Sequence, residues 1–495
     1  MRIKVLCFAA VIALFTVACK DENGLSDGRP VTNREVKFTD AEFKVLYQMR
    51  NENNKVSMEE ATRLANDVIS FLDGESATKS GTGRSISSIG ALTSENLQSV
   101  ALKSSDGINV EIPDTVAYVF NFGNDEGFAI ISADTRIEAP ILGYTGSGTL
   151  GTETDNPGLG IFLEGAEDYI LHSIAEAEHK RDSLIGIIMA KLNLENESET
   201  KAVTTKTMTF TNMRMTQIID TRTTARVSPL LPVQWGQGEP FNQTIPTLCP
   251  SRNDGRAPTG CIATAVAQIM AYWQYPANID GKTINWTELN KYTGYPNAYD
   301  NVRGKTDVWS ATFRTEVAYL MERIGKHTKM KWECGGSGTT PDEAITYLNK
   351  LGYRVAVWPT EYNYNTTLLM LNNRVPVLVG GYSSRTANKF LGITMSYTYG
   401  GGHRWVVDGF LNQTQYITTT VELIDKSTGK VLDRATSSST NSYSYLHNNW
   451  GGSGSYNGYF LAGCFDMLSS ERLASGTKGS EKNYQYANIM FAVYR

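Results

Sequence analysis

The chain has 495 residues, 41% of them hydrophobic and 20% charged, with a net charge of −5. That length allows about two to four domains with room for more than one core, and the mildly acidic balance supplies no basic footprint for nucleic acid. No HExxH sequence and no closely spaced cysteine pair suggests a zinc site, and six cysteines are too few for a disulfide framework in so long a chain. The 44 glycines, denser in the second half, and the 25 tyrosines favour strands and loops there.

Arg2 and Lys4 precede a short apolar stretch, 5–18, too short to span a membrane. It ends in Thr16-Val17-Ala18-Cys19, which resembles a bacterial lipoprotein signal whose cleavage frees Cys19 for lipid attachment. A plain secretory signal cut near Ala18 is the alternative. Lys20-Asp21-Glu22 resembles the acidic tag that sends some Bacteroidetes lipoproteins to the outer face of the outer membrane. The expected organisation starts with a signal peptide, 1–18, and a polar tether, 19–35. The chain is expected to be exported and held at the membrane through its lipidated N-terminus, with release after processing left open.

A first domain is expected over 36–193. Ser57 and Glu60 make a capping box for a helix whose apolar residues Ala61, Leu64, Val68 and Leu72 follow helical spacing. Residues 77–92, rich in Ser, Thr and Gly, read as a loop. Residues 115–122 and 127–133 are apolar and β-branched around Gly123-Asn124-Asp125-Glu126, the pattern of a hairpin. Residues 161–192 read as a long helix with a break near Gly186. A polar segment, 194–229, reads as an exposed linker offering Lys201, Lys206, Arg222 and Arg226 to a processing protease.

The second domain, 230–495, begins with helices: one from Cys261 to Trp273, one over 313–324, and one capped by Thr340 with Pro341 first and Glu343 behind it. Strands then follow over 353–358, 375–380, 404–410, 419–425, 430–435, 443–448, 459–461 and 489–493. Helices first and antiparallel strands later is an α+β arrangement.

Cys261 stands out among the cysteines. It follows Gly260 and opens an amphipathic helix, where free main-chain N–H groups and the helix dipole favour thiolate. A nucleophilic cysteine needs a base. Of the five histidines, His172 and His179 fall in the first domain and His327 just after a helix, leaving His403 and His447 as the better placed. His403 follows Gly400-Gly401-Gly402 and leads into the apolar strand Trp405-Val406-Val407, roughly 140 residues after Cys261, a separation used by papain-like enzymes. Asn449, next to His447 and Asn448, offers an amide to orient the imidazole. One disulfide among Cys249, Cys334 and Cys464 remains open at this level.

Thr259-Gly260-Cys261-Ile262-Ala263-Thr264-Ala265 with Gln268-Ile269-Met270 and Tyr272-Trp273 resembles the nucleophile helix of the streptopain family, peptidase family C10. Gly402-His403 with Val406-Val407-Asp408-Gly409 is similar to that family's histidine strand, and Asn449-Trp450-Gly451 with Asn457-Gly458-Tyr459-Phe460 to its asparagine segment. Gln237-Gly238-Glu239-Pro240-Phe241-Asn242 resembles its glutamine segment. Residues 118–143, including Gly127-Phe128-Ala129-Ile130-Ile131-Ser132-Ala133-Asp134, resemble its inhibitory propeptide. The resemblance implies Cys261 as nucleophile, His403 as base, Asn449 as its orienting group, Gln237 as oxyanion donor and Trp450 covering the His–Asn pair. It implies a papain-like α+β domain preceded by an α+β propeptide that inhibits it within the same chain. Polypeptides would be the substrates, and no metal or organic cofactor would be needed. The chain departs from the family in having Gly452 after Asn-Trp-Gly, Arg404 after His403, and a longer Thr- and Ser-rich insertion around Ser427-Thr428-Gly429. These bear on cleft shape more than on chemistry. The same residues can run acyl transfer or side-chain deamidation, and a non-catalytic surface-binding lipoprotein is a third reading.

Overall fold

The computed structural model describes residues 32–35, 38–48, 53–75, 83–93, 113–151, 154, 156–191, 213–291, 309–382, 384–390, 393–400, 402–424, 428–465 and 486–495. The signal region with Cys19, and Lys201 and Lys206, lie outside the described residues. Strand β1 (Thr32–Glu35) and helix α1 (Asp40–Gln48) come first. Helix α2 (Met58–Glu75) starts at the expected box: the Ser57 hydroxyl accepts the Glu60 N–H at 3.1 Å, and Ala61, Leu64, Val68 and Leu72 are buried. Strands β2 (Ile86–Thr93), β3 (Thr115–Phe122), β4 (Phe128–Ser132) and β5 (Ile141–Thr145) form an antiparallel meander, followed by α3 (Pro157–Lys191).

Two expectations are corrected here. The Ser- and Thr-rich stretch read as a loop supplies β2, because β3 offers it partners from Ile86↔Phe122 to Thr93↔Thr115. Gly186 does not break α3, and a Cβ there would meet nothing within 4 Å, so no neighbour forces a bend.

The second half opens with β6 (Met213–Val227), then α4 (Cys261–Trp273), the small hairpin β7 (Asn278–Ile279) and β8 (Lys282–Thr283), and α5 (Trp286–Leu289). Helices α6 (Ala311–His327) and α7 (Pro341–Lys350) follow, the latter with the Thr340 hydroxyl accepting the Glu343 N–H at 3.3 Å. Next come β9 (Arg354–Glu361), α8 (Tyr364–Asn372), β10 (Val377–Tyr382), and the separate pair β11 (Ser384–Phe390) and β12 (Ile393–Gly400). The last strands are β13 (His403–Ile424), β14 (Val431–Asn449), β15 (Gly458–Leu461) and β16 (Tyr486–Tyr494). Four of the short strands expected from sequence are thus the ends of two long ones. Polar Thr and Ser fill much of the middle of each, where strand pairing carries the backbone past residues the pattern reads as breaks.

Among the described residues the main sheet runs β2-β3-β4-β5-β15-β14-β13-β10-β16-β9, with β1 added along β14 and β6 along β13. The meander of the first half therefore continues into the second through β5 and β15, in the register Thr145↔Gly458, Tyr144↔Tyr459 and Gly143↔Phe460. Glycine is needed at 458, since a Cβ there would overlap the Tyr144 carbonyl.

The expected linker and tether boundaries also change. From residue 213 the linker is β6, bonded along β13 from Met213↔Leu423 to Val227↔Phe410, and residues 32–35 of the tether are β1. Arg222 and Arg226 thus sit on a paired strand, not in loose chain. Their polar neighbours hid this, because a strand with a solvated face needs few apolar residues.

Alternation along the sheet feeds two cores. Val377, Val379, Val407 and Ala492 join a core shared by both halves, with Phe128, Ile130 and Phe162 of the first against Trp405, Trp450 and Phe460 of the second. Leu378, Val406, Phe491 and Val493 point the other way, into a core with α4, α6 and α7. The result is the expected α+β class, a helical layer on a sheet that is antiparallel but for β1. The far end of the β13–β14 hairpin packs on α1 and α3, Ile417 against Phe43, and Val421 and Ala435 against Val45, Leu46 and Ile188. No helix among the described residues is long and apolar enough to cross a membrane.

Candidate active site

Helix α4 starts at Cys261 because Gly260 turns the chain into it. Gly260 has φ 96°, and a Cβ there would press on the Met330 sulfur and the Ser337 carbonyl oxygen, at 2.7 and 3.0 Å. Residues 262–271 are all buried, so this is a core helix whose start, Cys261 and Ile262, borders a cleft. The Thr264 hydroxyl fixes the first turn, lying 3.2 Å from the Gly260 carbonyl and 3.0 Å from the Thr259 hydroxyl. Cys261 is half-buried and lines a cavity of about 1180 Å³.

Burial pushes the Cys261 thiol up, against the charge of Arg404 and the main-chain N–H groups of Arg404, Ile262 and Cys261 itself. The helix start, read from sequence as favouring thiolate, is present, but desolvation outweighs it.

His403 is the first residue of β13 and lines the same cavity, 3% exposed. Its Nε2 lies 2.9 Å from the Trp450 carbonyl oxygen. A carbonyl only accepts, so Nε2 carries the hydrogen and Nδ1 is left as the basic nitrogen. The ring stacks on Trp405, with centroids 6.1 Å apart and planes 13° apart. Burial, with a further push from Arg404, lowers the imidazole to about 4, while the Trp450 carbonyl pulls the other way.

Gln237 and Trp450 line the cavity as well. The Gln237 carbonyl accepts the Thr259 N–H at 3.0 Å, tying the glutamine segment to the approach to Cys261. Trp450 is fully buried: its indole N–H donates to the Tyr456 carbonyl at 2.9 Å, and its main-chain N–H donates to Asn457 Oδ1 at 3.0 Å. Asn449 is not among the lining residues. Its amide donates to the Val233 carbonyl and Gln268 Oε1, and its oxygen accepts the Gly451 N–H at 3.2 Å. The group meeting the imidazole is thus the main chain of Trp450, with Asn449 bracing the turn that carries it. A main-chain carbonyl has no sequence signature.

His447 lies elsewhere. It is buried, with Nδ1 2.6 Å from Asp408 Oδ1, while Asp408 Oδ2 accepts the Leu231 N–H at 3.1 Å. Its ring meets Tyr459 edge-on, and Tyr459 stacks on Tyr144 of β5.

The first half of the chain also reaches the cavity. Asn156 and Pro157 line it. Asn156 Oδ1 caps α3, accepting from Gly158 and Leu159 at 3.0 and 3.1 Å, and its amide reaches the Ser455 carbonyl at 3.4 Å. Gly158 sits flat on the Trp450 ring, where any Cβ would overlap the indole. Sequence reading did not single out these residues. Nor did it settle the disulfide, which joins Cys249 to Cys334 and leaves Cys261 outside it. No cluster of metal-binding side chains occurs among the described residues.

Residues 235–460 match the Peptidase C10 family, and residues 53–170 match the Spi protease inhibitor family. The thiol protease/hemagglutinin PrtT of Porphyromonas gingivalis is 28% identical over 200 residues, which is 40% of this chain and 20% of that protein. The aligned region thus spans about a fifth of the relative's length. A prointerpain A fragment of Prevotella intermedia is 21% identical with a TM-score of 0.41, over 77% of this chain and 96% of the other. Active interpain A of the same organism is 21% identical with a TM-score of 0.32, over 55% and 95%.

Proposed function

We propose that this chain, a member of the peptidase C10 family made with an inhibitory propeptide, is an exported cysteine endopeptidase that its own first domain keeps silent until cleavage. The observation carrying this reading is the meeting of Cys261 and His403 at one cavity that Asn156 and Pro157 of the first domain also line.

The residues fit the chemistry step by step. In the active enzyme the Cys261 proton passes to His403 Nδ1, and the thiolate attacks the substrate carbonyl carbon. The oxyanion is met by the Cys261 main-chain N–H and the Gln237 amide. The imidazolium then protonates the leaving amine, which departs as the carbonyl reforms, leaving an acyl-enzyme. Water attacks the thioester with His403 as base, releasing the acid and restoring the thiol. The Trp450 carbonyl holds Nε2–H throughout, so Nδ1 is the nitrogen that cycles. Asn449 keeps that carbonyl in place through the Gly451 N–H.

Silence in the precursor has two sources in this reading. The start of α3 narrows the cavity, and enclosure keeps the thiol protonated and the imidazole neutral. Polypeptides are the substrates. Export with lipidation at Cys19 anchors the precursor at the outer membrane, and processing falls between the two halves.

Incubating the purified full chain beside its Cys261→Ala variant, with products followed on a gel and with an added peptide, tests the reading. The wild type should shorten itself and cut the peptide, and the variant should do neither. A variant that processes and cleaves like wild type would exclude Cys261 as nucleophile. Labelling cells with a fatty-acid analogue should mark wild type but not Cys19→Ser.

A further inference from the structure

A glycine-rich turn, residues 333–340, forms one wall of the cavity that holds Cys261. At Gly335, Gly336 and Gly338 the position of a Cβ has nothing within 4 Å, so the turn presents bare main chain to open space. Its base is closed by paired main-chain hydrogen bonds between Lys331 and Gly338, at 2.9 and 3.1 Å. Ser337 donates to the Pro258 carbonyl at 2.7 Å. At the tip sits Cys334, bonded to Cys249 with a Cα–Cα distance of 5.4 Å. Cys249 is buried with Ile245 and Ala257, and Trp332 packs against them. From Cys249 the chain runs through Pro258 and Gly260 to the nucleophile. The disulfide thus ties the approach to Cys261 to the wall beside it.

We propose that the Cys249–Cys334 disulfide positions the substrate-binding wall, so that extended peptide binds well only while this bond is oxidised and Cys261 is reduced. The proposal rests on the peptidase reading above. Glycine has the widest conformational freedom of any residue, so a turn with three of them is held by its hydrogen bonds, among them the Glu333 N–H to the Ser337 hydroxyl at 3.2 Å, and by the disulfide at its tip. With the bond open, the wall must be ordered by substrate, and that cost is taken from binding. It falls on ground state and transition state alike, so it raises KM rather than lowering kcat.

Cys334 is exposed, so thiol exchange has access. A dithiol such as dithiothreitol breaks the S–S bond, each sulfur gains one electron and one proton, and the reductant closes to its cyclic disulfide. The same reagent keeps Cys261 a thiol. Activity at low concentrations of an extended peptide should therefore rise with the first reductant added and fall with more.

The test compares the full chain, processed by incubation, with its Cys249→Ser/Cys334→Ser double variant. KM and kcat are measured on an extended peptide, and alkylation of Cys261 by iodoacetamide is read by mass spectrometry. The expected result is a KM about tenfold higher, with kcat and alkylation rate unchanged. Wild type with the bond opened by excess dithiothreitol should show the same rise, reversed on reoxidation, which covers the case of a variant that does not fold. Equal KM values with the bond shown open overturn the proposal alone. So does an equal loss of kcat and alkylation, which makes the disulfide a support of the fold. Wild type that is alkylated at Cys261 yet cuts no peptide overturns the peptidase reading and this proposal with it.

Discussion

The cleft and the seam between the two halves are built on the same pair of strands, β13 and β14, and each region buries one histidine of that pair. In the cleft, His403 meets a neutral carbonyl and is driven down to about 4 by burial and by Arg404. At the seam, His447 meets a carboxylate, Asp408, whose second oxygen is taken by the Leu231 N–H. One ring keeps a nitrogen available at an open cavity. The other is locked in a closed network behind the Tyr459–Tyr144 stack, where β15 joins β5. The residue type is the same, and the partner sets how each ring is held: His403 by a neutral carbonyl beside the cavity, His447 by a carboxylate within the sheet.

The largest expected difference follows from that contrast. Cys261→Ala and His403→Ala should each lower kcat/KM by about 10⁴-fold or more. His447→Ala should leave Cys261 alkylation intact and instead lower the precursor's melting temperature, with a cost of about 2 kcal/mol for leaving a buried acceptor unpaired. Loss of cleavage in His447→Ala with full cleavage in His403→Ala would reverse the assignment of the two regions.

Next in size is the proposed oxyanion donor, Gln237. Gln237→Ala should cut kcat by about 100- to 1000-fold with a smaller change in KM. Unchanged kcat would remove Gln237 from the cleft's machinery.

The seam can be broken at Gly158. A leucine there has to displace the Trp450 ring, an overpacking worth about 1–3 kcal/mol. The full-length Gly158→Leu chain should cleave peptide about 10- to 100-fold faster than the intact wild-type precursor, measured before processing. If it stays as silent as wild type, the α3 contact is not what closes the cleft. The shared core also bears on cutting alone. The polar sequence of 194–229 suggests an easily detached first domain, yet Phe128 and Phe162 sit in one core with Trp450 and Phe460. A chain nicked between residues 192 and 212 should therefore run as one complex on gel filtration until the first half is itself degraded.

A last effect, which leaves activity aside, is on stability against pH. The folded imidazole of His403 titrates near 4 and the unfolded one near 6.5. Between those values the unfolded state binds more protons, so stability falls as pH drops from about 6.5 to about 4, by about 3 kcal/mol in total. Thermal melting of Cys261→Ala across this range should show the slope, and adding His403→Gln should flatten it. Parallel curves would mean that the ring is not buried in its neutral form.

Some of this was carried by the sequence alone. A glycine followed by a cysteine at the head of an apolar helix, and a histidine after three glycines at the head of an apolar strand, pick out two residues that line one cavity, because each pattern is local. The helix caps at Ser57 and Thr340 and the strand over 375–380 were legible for the same reason. Tertiary structure decided what depends on partners far away in the chain. Strand β6 looks like linker because pairing uses its backbone and not its side chains. The imidazole's partner is a carbonyl, which every residue has, so nothing in Asn449-Trp450 marks it. Asn156 and Pro157 lie at the cavity only because α3 is laid across Trp450. The thiol's preference was inverted by enclosure, since a helix start is written in the sequence, whereas desolvation belongs to the assembled fold.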